Sequence, residues 1–128
     1  MVVFPQGRIV PAERRPLLLE SGAARLARRA GGATVLPVAL RYEFLADQHP
    51  AAFISAGPPW SVTAEAARDP RALTAALAAL LTAEADNLRA AIAADATADF
   101  RPLLAGCRSI NDLYDQLLRR RPNTGQRP

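Results

Sequence analysis

The sequence predicts an α/β fold: a partial, mostly parallel sheet with flanking helices and further helices toward the C-terminus. Two apolar runs, residues 1–4 and 33–42, have the composition of buried strands. Between them lies a helix candidate rich in small residues, which the Gly31-Gly32 pair ends. A strand, a loop, a helix and a second strand in this order form the unit from which parallel sheets are built.

The first predicted strand, at residues 1–4, has no element before it. We therefore expect the chain to be the later part of a longer domain. The loop at residues 5–16 contains three prolines, and proline cannot donate a hydrogen bond to a central strand pairing. The helix after this loop is expected to begin between Leu17 and Ser21.

The run at residues 33–42 is nearly continuous in apolar residues rather than alternating. This pattern predicts a strand that is buried on both faces, as in a parallel sheet. Residues 52–56 form a third and shorter strand candidate, which Gly57, Pro58 and Pro59 end.

A long helix is predicted from Asp69-Pro70 to about Ala96. Aspartate is a favoured N-cap residue, and proline is favoured at the first helical position. We expect this helix to cover the sheet. A partner-binding or membrane-surface role is the alternative, although the mixed charge of the polar face disfavours a membrane surface. The apolar stripe that defines the helix consists of Leu73, Leu77, Leu80, Leu81, Leu88 and Ile92.

A final helix is predicted near the C-terminus. Residues 109–112 have the spacing of a capping box, and Pro122 ends the helix that follows. Its last turn, residues 119–121, is a triple arginine that suits the helix dipole, with contact to anionic lipid as the alternative. The chain is therefore divided into an α/β part (1–60), a helical region packing on it (61–121) and a flexible tail (122–128).

The charge of the chain favours anionic partners. The net charge is +4, and every basic residue is arginine. Phosphate esters, anionic lipid headgroups and nucleic acid are all compatible with this balance, as is a basic face that only meets solvent. No apolar run approaches the roughly 20 residues that span a bilayer, so any membrane contact is expected to be peripheral.

The sequence offers few residues for metal or acid–base chemistry. Cys107 is the only cysteine, which excludes a disulfide within the chain and a cysteine-based metal site. His49 is the only histidine. Asp47 stands two residues before it, but a solvent-exposed loop histidine is the preferred interpretation. No phosphate-binding P-loop or dinucleotide fingerprint is present.

The turn at Pro5-Gln6-Gly7-Arg8 is the best candidate for a site. It follows a predicted strand, at the end where open α/β sheets bind their ligands. Gly7 would let the backbone approach a ligand closely, and Arg8 could pair in a fork with a phosphate or carboxylate. Arg14 and Arg15 could join from the same loop. A plain turn is the alternative.

The order of three segments resembles a known family. Residues 4–7 (Phe-Pro-Gln-Gly), 22–27 (Gly-Ala-Ala-Arg-Leu-Ala) and 35–40 (Val-Leu-Pro-Val-Ala-Leu) are similar to the later half of the glycerolipid acyltransferases of the 1-acylglycerol-3-phosphate, or lysophospholipid, type. In that family the third block reads Phe-Pro-Glu-Gly-Thr-Arg, and the fourth is an apolar strand with Val/Ile-Pro-Val. The resemblance covers about residues 2–60.

The resemblance implies roles for particular residues. Pro5, Gln6 and Gly7 fall in the block that contacts the glycerol phosphate of the acceptor. Arg8 stands at the threonine position, and Ile9 stands where the family has its phosphate-binding arginine. The remaining implied residues are Arg15 as a weaker phosphate ligand, and Gly22 and Pro37 as residues that line the site.

Two departures from the family pattern concern the phosphate. Gln6 in place of glutamate removes a charge, and Ile9 in place of arginine removes a ligand, which Arg8 could replace one position earlier. A third departure concerns catalysis, because the family's His-x4-Asp block is missing: the fifth residue after His49 is Ile54. In the family the histidine is the general base, so we assign no catalytic residue here.

The resulting prediction is the C-terminal portion of a lipid acyltransferase. The complete enzyme would transfer a fatty acyl group from acyl-CoA or acyl carrier protein, its co-substrate, to a hydroxyl of a lysophospholipid-like acceptor, with no cofactor and no nucleic acid. The resemblance implies a cytoplasmic protein with peripheral contact to the inner face of the plasma membrane. The alternative is a non-catalytic basic module that binds nucleic acid or another anionic partner.

Overall fold

The computed structural model describes residues 1–45, 49–94 and 99–104, which form a small mixed α/β domain. The described part contains two α-helices, a short 3₁₀ helix and two antiparallel two-stranded sheets. In chain order the elements are α1 (Gly22–Arg29), β1 (Ala33–Val35), β2 (Val38–Glu43), β3 (Ala51–Ala56), β4 (Trp60–Val62), the 3₁₀ helix (Ala66–Arg68) and α2 (Pro70–Ala93).

Helix α1 has one alanine face and one arginine face. Ala24 and Ala27 are buried, and the arginines of the helix are exposed. The chain leaves the helix through Gly31 and Gly32, whose φ angles are 69° and 119°. A side chain at Gly32 would place its Cβ 2.9 Å from the carbonyl oxygen of Val62, so this position requires glycine. The predicted helix and its glycine stop are confirmed.

The apolar run at residues 33–42 is divided between two sheets. Its first part, β1, pairs antiparallel with β4, with Thr34 opposite Ser61. Its second part, β2, pairs antiparallel with β3, with Leu40 opposite Ile54. The break falls at Leu36–Pro37, where proline lacks the N–H group that a continuous strand would need.

The β2–β3 sheet is buried on one face. Ala39 and Phe53 are buried against α2, whereas Val38, Leu40 and Ile54 point away and are about half exposed. The predicted burial of this strand on both faces is therefore wrong. The observed alternation is typical of an antiparallel sheet covered by one helix.

Helix α2 is capped as the sequence predicts. The Asp69 side chain accepts hydrogen bonds from the backbone N–H groups of Arg71 and Ala72, at 3.0 and 3.1 Å, and Pro70 opens the helix. The helix ends at Ala93, slightly before the predicted end.

Two hydrophobic clusters lie along α2. The first half of the helix packs with α1, β4 and the 3₁₀ helix through Leu73 and Leu77. The second half packs on the β2–β3 sheet through Leu88. Phe53 and Phe100 extend this second cluster with an edge-to-face contact, their ring centroids 5.2 Å apart. Of the predicted stripe, Leu73, Leu77 and Leu88 are buried, while Leu80, Leu81 and Ile92 are half-buried.

Two predictions about the sheet are wrong. In the described ranges both sheets are antiparallel, so the mostly parallel sheet is not formed. Residues 1–4 form no strand, and Phe4 is 85% exposed. Residues 1–4 pair with none of the four described strands, and a segment without such a neighbour leaves the backbone groups of a strand unsatisfied. The predicted final helix, the triple arginine, the tail and Cys107 lie outside the described residues.

Candidate functional site

The Pro5–Arg8 turn is fixed against the residues that precede α1. The backbone N–H of Glu20 donates to the carbonyl oxygen of Pro5 at 2.7 Å. Gly7 has a φ of 66°, and a Cβ added there would lie 2.7 Å from Cγ of Glu20. Glycine at position 7 therefore provides both the left-handed backbone and the space for Glu20.

Arg8 is exposed at this turn. Within the described ranges it has no carboxylate partner. Ile9, at the position of the family's arginine, is fully exposed and has no group that binds an anion. A shallow notch of about 10 Å³ lies beside Arg8, large enough for roughly one water molecule. The residues that line this notch are Gln6, Arg8, Val10, Arg14, Pro16, Leu17 and Leu18.

Arg15 is occupied by other contacts. Its guanidinium donates to Oδ1 of Asp86 on α2 at 2.5 Å, and to the carbonyl oxygens of Ala12 and Arg14 at 2.9 and 3.1 Å. Its Nε is buried and has no partner among the described residues. Arg15 therefore ties the loop at residues 5–16 to α2, and Arg14 is the arginine that shares the notch with Arg8.

A second set of ion pairs holds the same loop. Arg41 on β2 donates to Glu13 and to Glu43, both at 2.5 Å, and Arg89 lies 3.8 Å from Glu13. The hydrogen bond from Arg41 lowers the pKa of Glu13 below its ordinary value, with smaller contributions from the nearby arginine charges. The hydrogen bonds that Arg41 donates to Glu13 and Glu43 raise the pKa of Arg41.

The two residues expected to line the site lie in different surroundings. Gly22 is the first residue of α1, with no atom within 4 Å of where its Cβ would be. Pro37 is fully buried between the two sheets, and its carbonyl oxygen accepts from the N–H of Gly57 at 3.0 Å. It does not line the notch beside Arg8.

An open groove lies next to the notch and shares Leu17 and Leu18 with it. Its volume is about 1150 Å³, and it runs between residues 17–21, α1 and the first turns of α2. Sequence reasoning missed this groove, because its two walls are far apart in the chain. The lining residues are Leu17, Leu18, Leu19, Glu20, Ser21, Arg25, Arg28, Arg29, Asp69, Pro70, Arg71, Thr74, Ala75 and Ala78.

A buried carboxylate was also missed. Glu84 on α2 is only 8% exposed and accepts a hydrogen bond from the hydroxyl of Ser55 on β3. Its Oε2 lies 2.6 Å from where a Cβ of Gly57 would be, so glycine there leaves room for the carboxylate. Alternation along β3 places Ser55 on the inner face, and helical spacing from Leu77 and Leu88 could have placed Glu84 beside it.

The other residues that could take part in acid–base or metal chemistry form no candidate site in the part of the chain that the structure describes. His49 is exposed, as predicted, and Asp47 lies outside the described residues. Across residues 1–45, 49–94 and 99–104, no three His, Cys, Asp or Glu side chains are grouped so that they could hold a metal ion. No helix in these ranges has the length and apolar character needed to cross a membrane.

Comparisons with known proteins found no family model, no curated protein and no solved structure that matches this chain.

Proposed function

We propose that the chain is the acceptor-binding part of a lysophospholipid acyltransferase, in which the Pro5–Arg8 turn holds the phosphate of the acceptor. In the complete reaction the hydroxyl oxygen of the acceptor attacks the thioester carbonyl of acyl-CoA or acyl carrier protein. An ester bond forms and the carbon–sulfur bond breaks. The hydroxyl proton passes to a general base, and the leaving thiolate then takes up this proton to become the thiol.

The observation that carries this proposal is the construction of the turn. Gly7 holds a left-handed conformation against Glu20, and the Pro5 carbonyl is anchored by the Glu20 N–H. Arg8 follows immediately, exposed and without a carboxylate partner in the described ranges. A turn that is held in place and presents an uncommitted guanidinium supports phosphate binding, because the fork of N–H donors matches phosphate oxygens.

The ion pairs of the loop support the same role indirectly. Arg15–Asp86 and Arg41–Glu13 fix the segment between the turn and α1 to the helix and to the sheet. A fixed loop costs less conformational entropy when the ligand binds. The notch beside Arg8 is too small to enclose a phosphate, so the proposed contact is made at the surface by the exposed Arg8.

Acyl transfer by these 128 residues alone is not expected. The sequence has no His-x4-Asp block, and the residues of the turn and of the notch lining include no histidine and no carboxylate. An assay with acyl-CoA and lysophosphatidic acid should therefore give no turnover above background. Robust turnover would contradict this part of the proposal.

The direct test is the affinity for glycerol 3-phosphate, measured by calorimetry at low salt. Arg8→Ala should weaken binding about tenfold or more, because a charge-assisted contact to phosphate contributes roughly 1.5–3 kcal/mol. The matched control is Arg101→Ala, which removes an exposed arginine that does not line the notch and should change affinity less than twofold. Equal affinities for wild type and Arg8→Ala would overturn the proposal.

The setting implied by this function is the cytoplasm, with peripheral contact to the inner face of the plasma membrane. A basic binding module for nucleic acid is the second candidate. It is favoured by one observation, the exposed arginines on one face of α1. A salt-dependent shift of DNA or RNA mobility would support it; no shift at low salt would remove it.

A further inference from the structure

We propose that the groove between residues 17–21, α1 and α2 binds a single-chain anionic amphiphile as a monomer: one alkyl or acyl chain with an oxyanion headgroup. This groove adjoins the notch at the Pro5–Arg8 turn, with which it shares Leu17 and Leu18, and the binding proposed here does not depend on the proposed acyl transfer.

Four arginines provide the binding groups for the headgroup. Arg25, Arg28 and Arg29 lie three and four residues apart on α1, and Arg71 lies in the first turn of α2. Within the described residues none of the four has an ion-pair partner. Like charges at this helical spacing repel one another, and a bound oxyanion would relieve that repulsion.

The two carboxylates that line the groove do not neutralise these arginines. Asp69 uses Oδ1 to cap α2, accepting from two backbone N–H groups. Glu20 extends its Cγ toward Gly7, on the side of the turn. Even when both carboxylates are counted at full charge, the four arginines leave the lining with a formal excess of two positive charges, so charge complementarity favours an anion.

Part of the groove lining is apolar. Leu17, Leu18 and Leu19 come from the segment before α1, and Ala75 and Ala78 come from α2. Leu18 is 55% exposed, so a ligand chain lying on it would remove apolar surface from water. An inorganic anion would leave this surface uncovered, and an uncharged chain would leave the arginines without a counterion.

The volume of the groove fits a single small ligand. The groove holds about 1150 Å³, a volume on the scale of small-molecule sites.

The experiment titrates the 128-residue chain with dodecyl phosphate below its critical micelle concentration, followed by backbone amide NMR shifts. Dodecanol lacks the charge and inorganic phosphate lacks the chain, so each tests one half of the site. With dodecyl phosphate we expect saturable shifts in α1 and in the first turns of α2. Dodecanol and inorganic phosphate should each bind at least tenfold more weakly.

Two variants separate the headgroup from the chain. Arg25→Ala with Arg28→Ala should weaken dodecyl phosphate about tenfold or more, and Leu18→Ser should weaken it about fivefold. The control with the same loss of charge is Arg68→Ala with Arg101→Ala, both exposed and outside the groove lining. Circular dichroism of each variant checks that α1 and α2 are kept.

Several results would overturn the proposal. Equal binding of dodecanol would remove the role of the arginines. An equal loss of dodecyl phosphate affinity in the Arg68/Arg101 control would show that only the net charge of the chain matters. Shifts confined to the Pro5–Arg8 turn would place the ligand elsewhere, and binding to anionic vesicles without binding of the monomer would make a bilayer the partner.

Discussion

Two groups of arginines differ in what they contact. Arg15 and Arg41 are paired with carboxylates and hold the loop at residues 5–16 against α2 and β2. Arg8 and the arginines of α1 are exposed and have no carboxylate partner in the part of the chain that the structure describes. The difference separates residues that build the loop from residues that are available to a ligand. Substitutions in the first group should therefore change stability, and substitutions in the second should change binding.

The largest effect on stability is expected from Asp86→Ala. This change leaves the guanidinium of Arg15, whose side chain is 29% exposed, without its carboxylate partner. We expect a loss of about 1–2 kcal/mol in the free energy of unfolding, since hydrogen bonds to charged groups contribute more than neutral ones. Urea denaturation measures it.

The control for Asp86→Ala is Glu65→Ala, which removes an exposed carboxylate that makes no ion pair in the described ranges. It should change the unfolding free energy by less than about 0.5 kcal/mol. Glycerol 3-phosphate affinity should stay within about twofold for Glu65→Ala. It should fall for Asp86→Ala, because the loop next to the turn is then no longer tied to α2. Equal stability of the two variants would show that the Arg15–Asp86 pair does not hold the loop.

A smaller effect is expected from pH. The hydrogen bond from Arg41 lowers the pKa of Glu13 from its ordinary value of 4.5 in the folded chain. Glu13 therefore contributes stability above that value, and the contribution is lost as the pH falls through the lowered pKa. Arg41→Met keeps the alkyl stem but removes the hydrogen bonds, so the variant should lose less stability than wild type on acidification below 4.5.

Urea denaturation at several pH values measures this difference. Parallel pH profiles for wild type and Arg41→Met would contradict the assigned pair. Arg41 keeps its charge over the whole range, so the change comes from the carboxylates that it pairs with, Glu13 and Glu43.

The smallest effect on stability is expected from the second group. Arg25→Ala with Arg28→Ala should change the unfolding free energy by less than about 0.5 kcal/mol. Alanine has the higher helix propensity, and the substitutions relieve repulsion between neighbouring arginines. Thermal and urea denaturation measure it. A loss of unfolding free energy above about 1 kcal/mol would assign these arginines a structural role. The distinction between the two groups of arginines would then not hold.

Local signals in the sequence were sufficient to predict where the two helices lie. Asp69-Pro70 predicts the start of α2, and Gly31-Gly32 predicts the stop after α1, because caps and glycine stops act within a few residues. The exposed His49 and the third strand also followed from local patterns. These features depend little on what packs against them.

The pairing of the strands could not be predicted in the same way. A continuous apolar run fits a central parallel strand and also fits two short strands in different sheets. Pro37 is a signal for this break, but the prediction placed it inside a single strand at residues 33–42. The strand at Trp60–Val62 was missed because three residues give no readable period.

The candidate site was predictable only in part. The Pro5–Arg8 turn could be identified because the residue types of Gly7 and Arg8 indicate a turn and an anion-binding group without knowledge of what packs against them. The partner of Arg15 is 71 residues away in the chain, and no local pattern pairs it with Asp86. The groove is likewise built from α1 and α2 together, so it becomes visible only when the two helices are packed.

The most direct test of the central claim is an amide NMR titration of the chain with glycerol 3-phosphate, which locates the phosphate. The account predicts saturable shifts at residues 6–9, around Gly7 and Arg8, and their loss in Arg8→Ala while the shifts persist in Arg101→Ala. Shifts confined to other residues, or an unchanged response in Arg8→Ala, would contradict it.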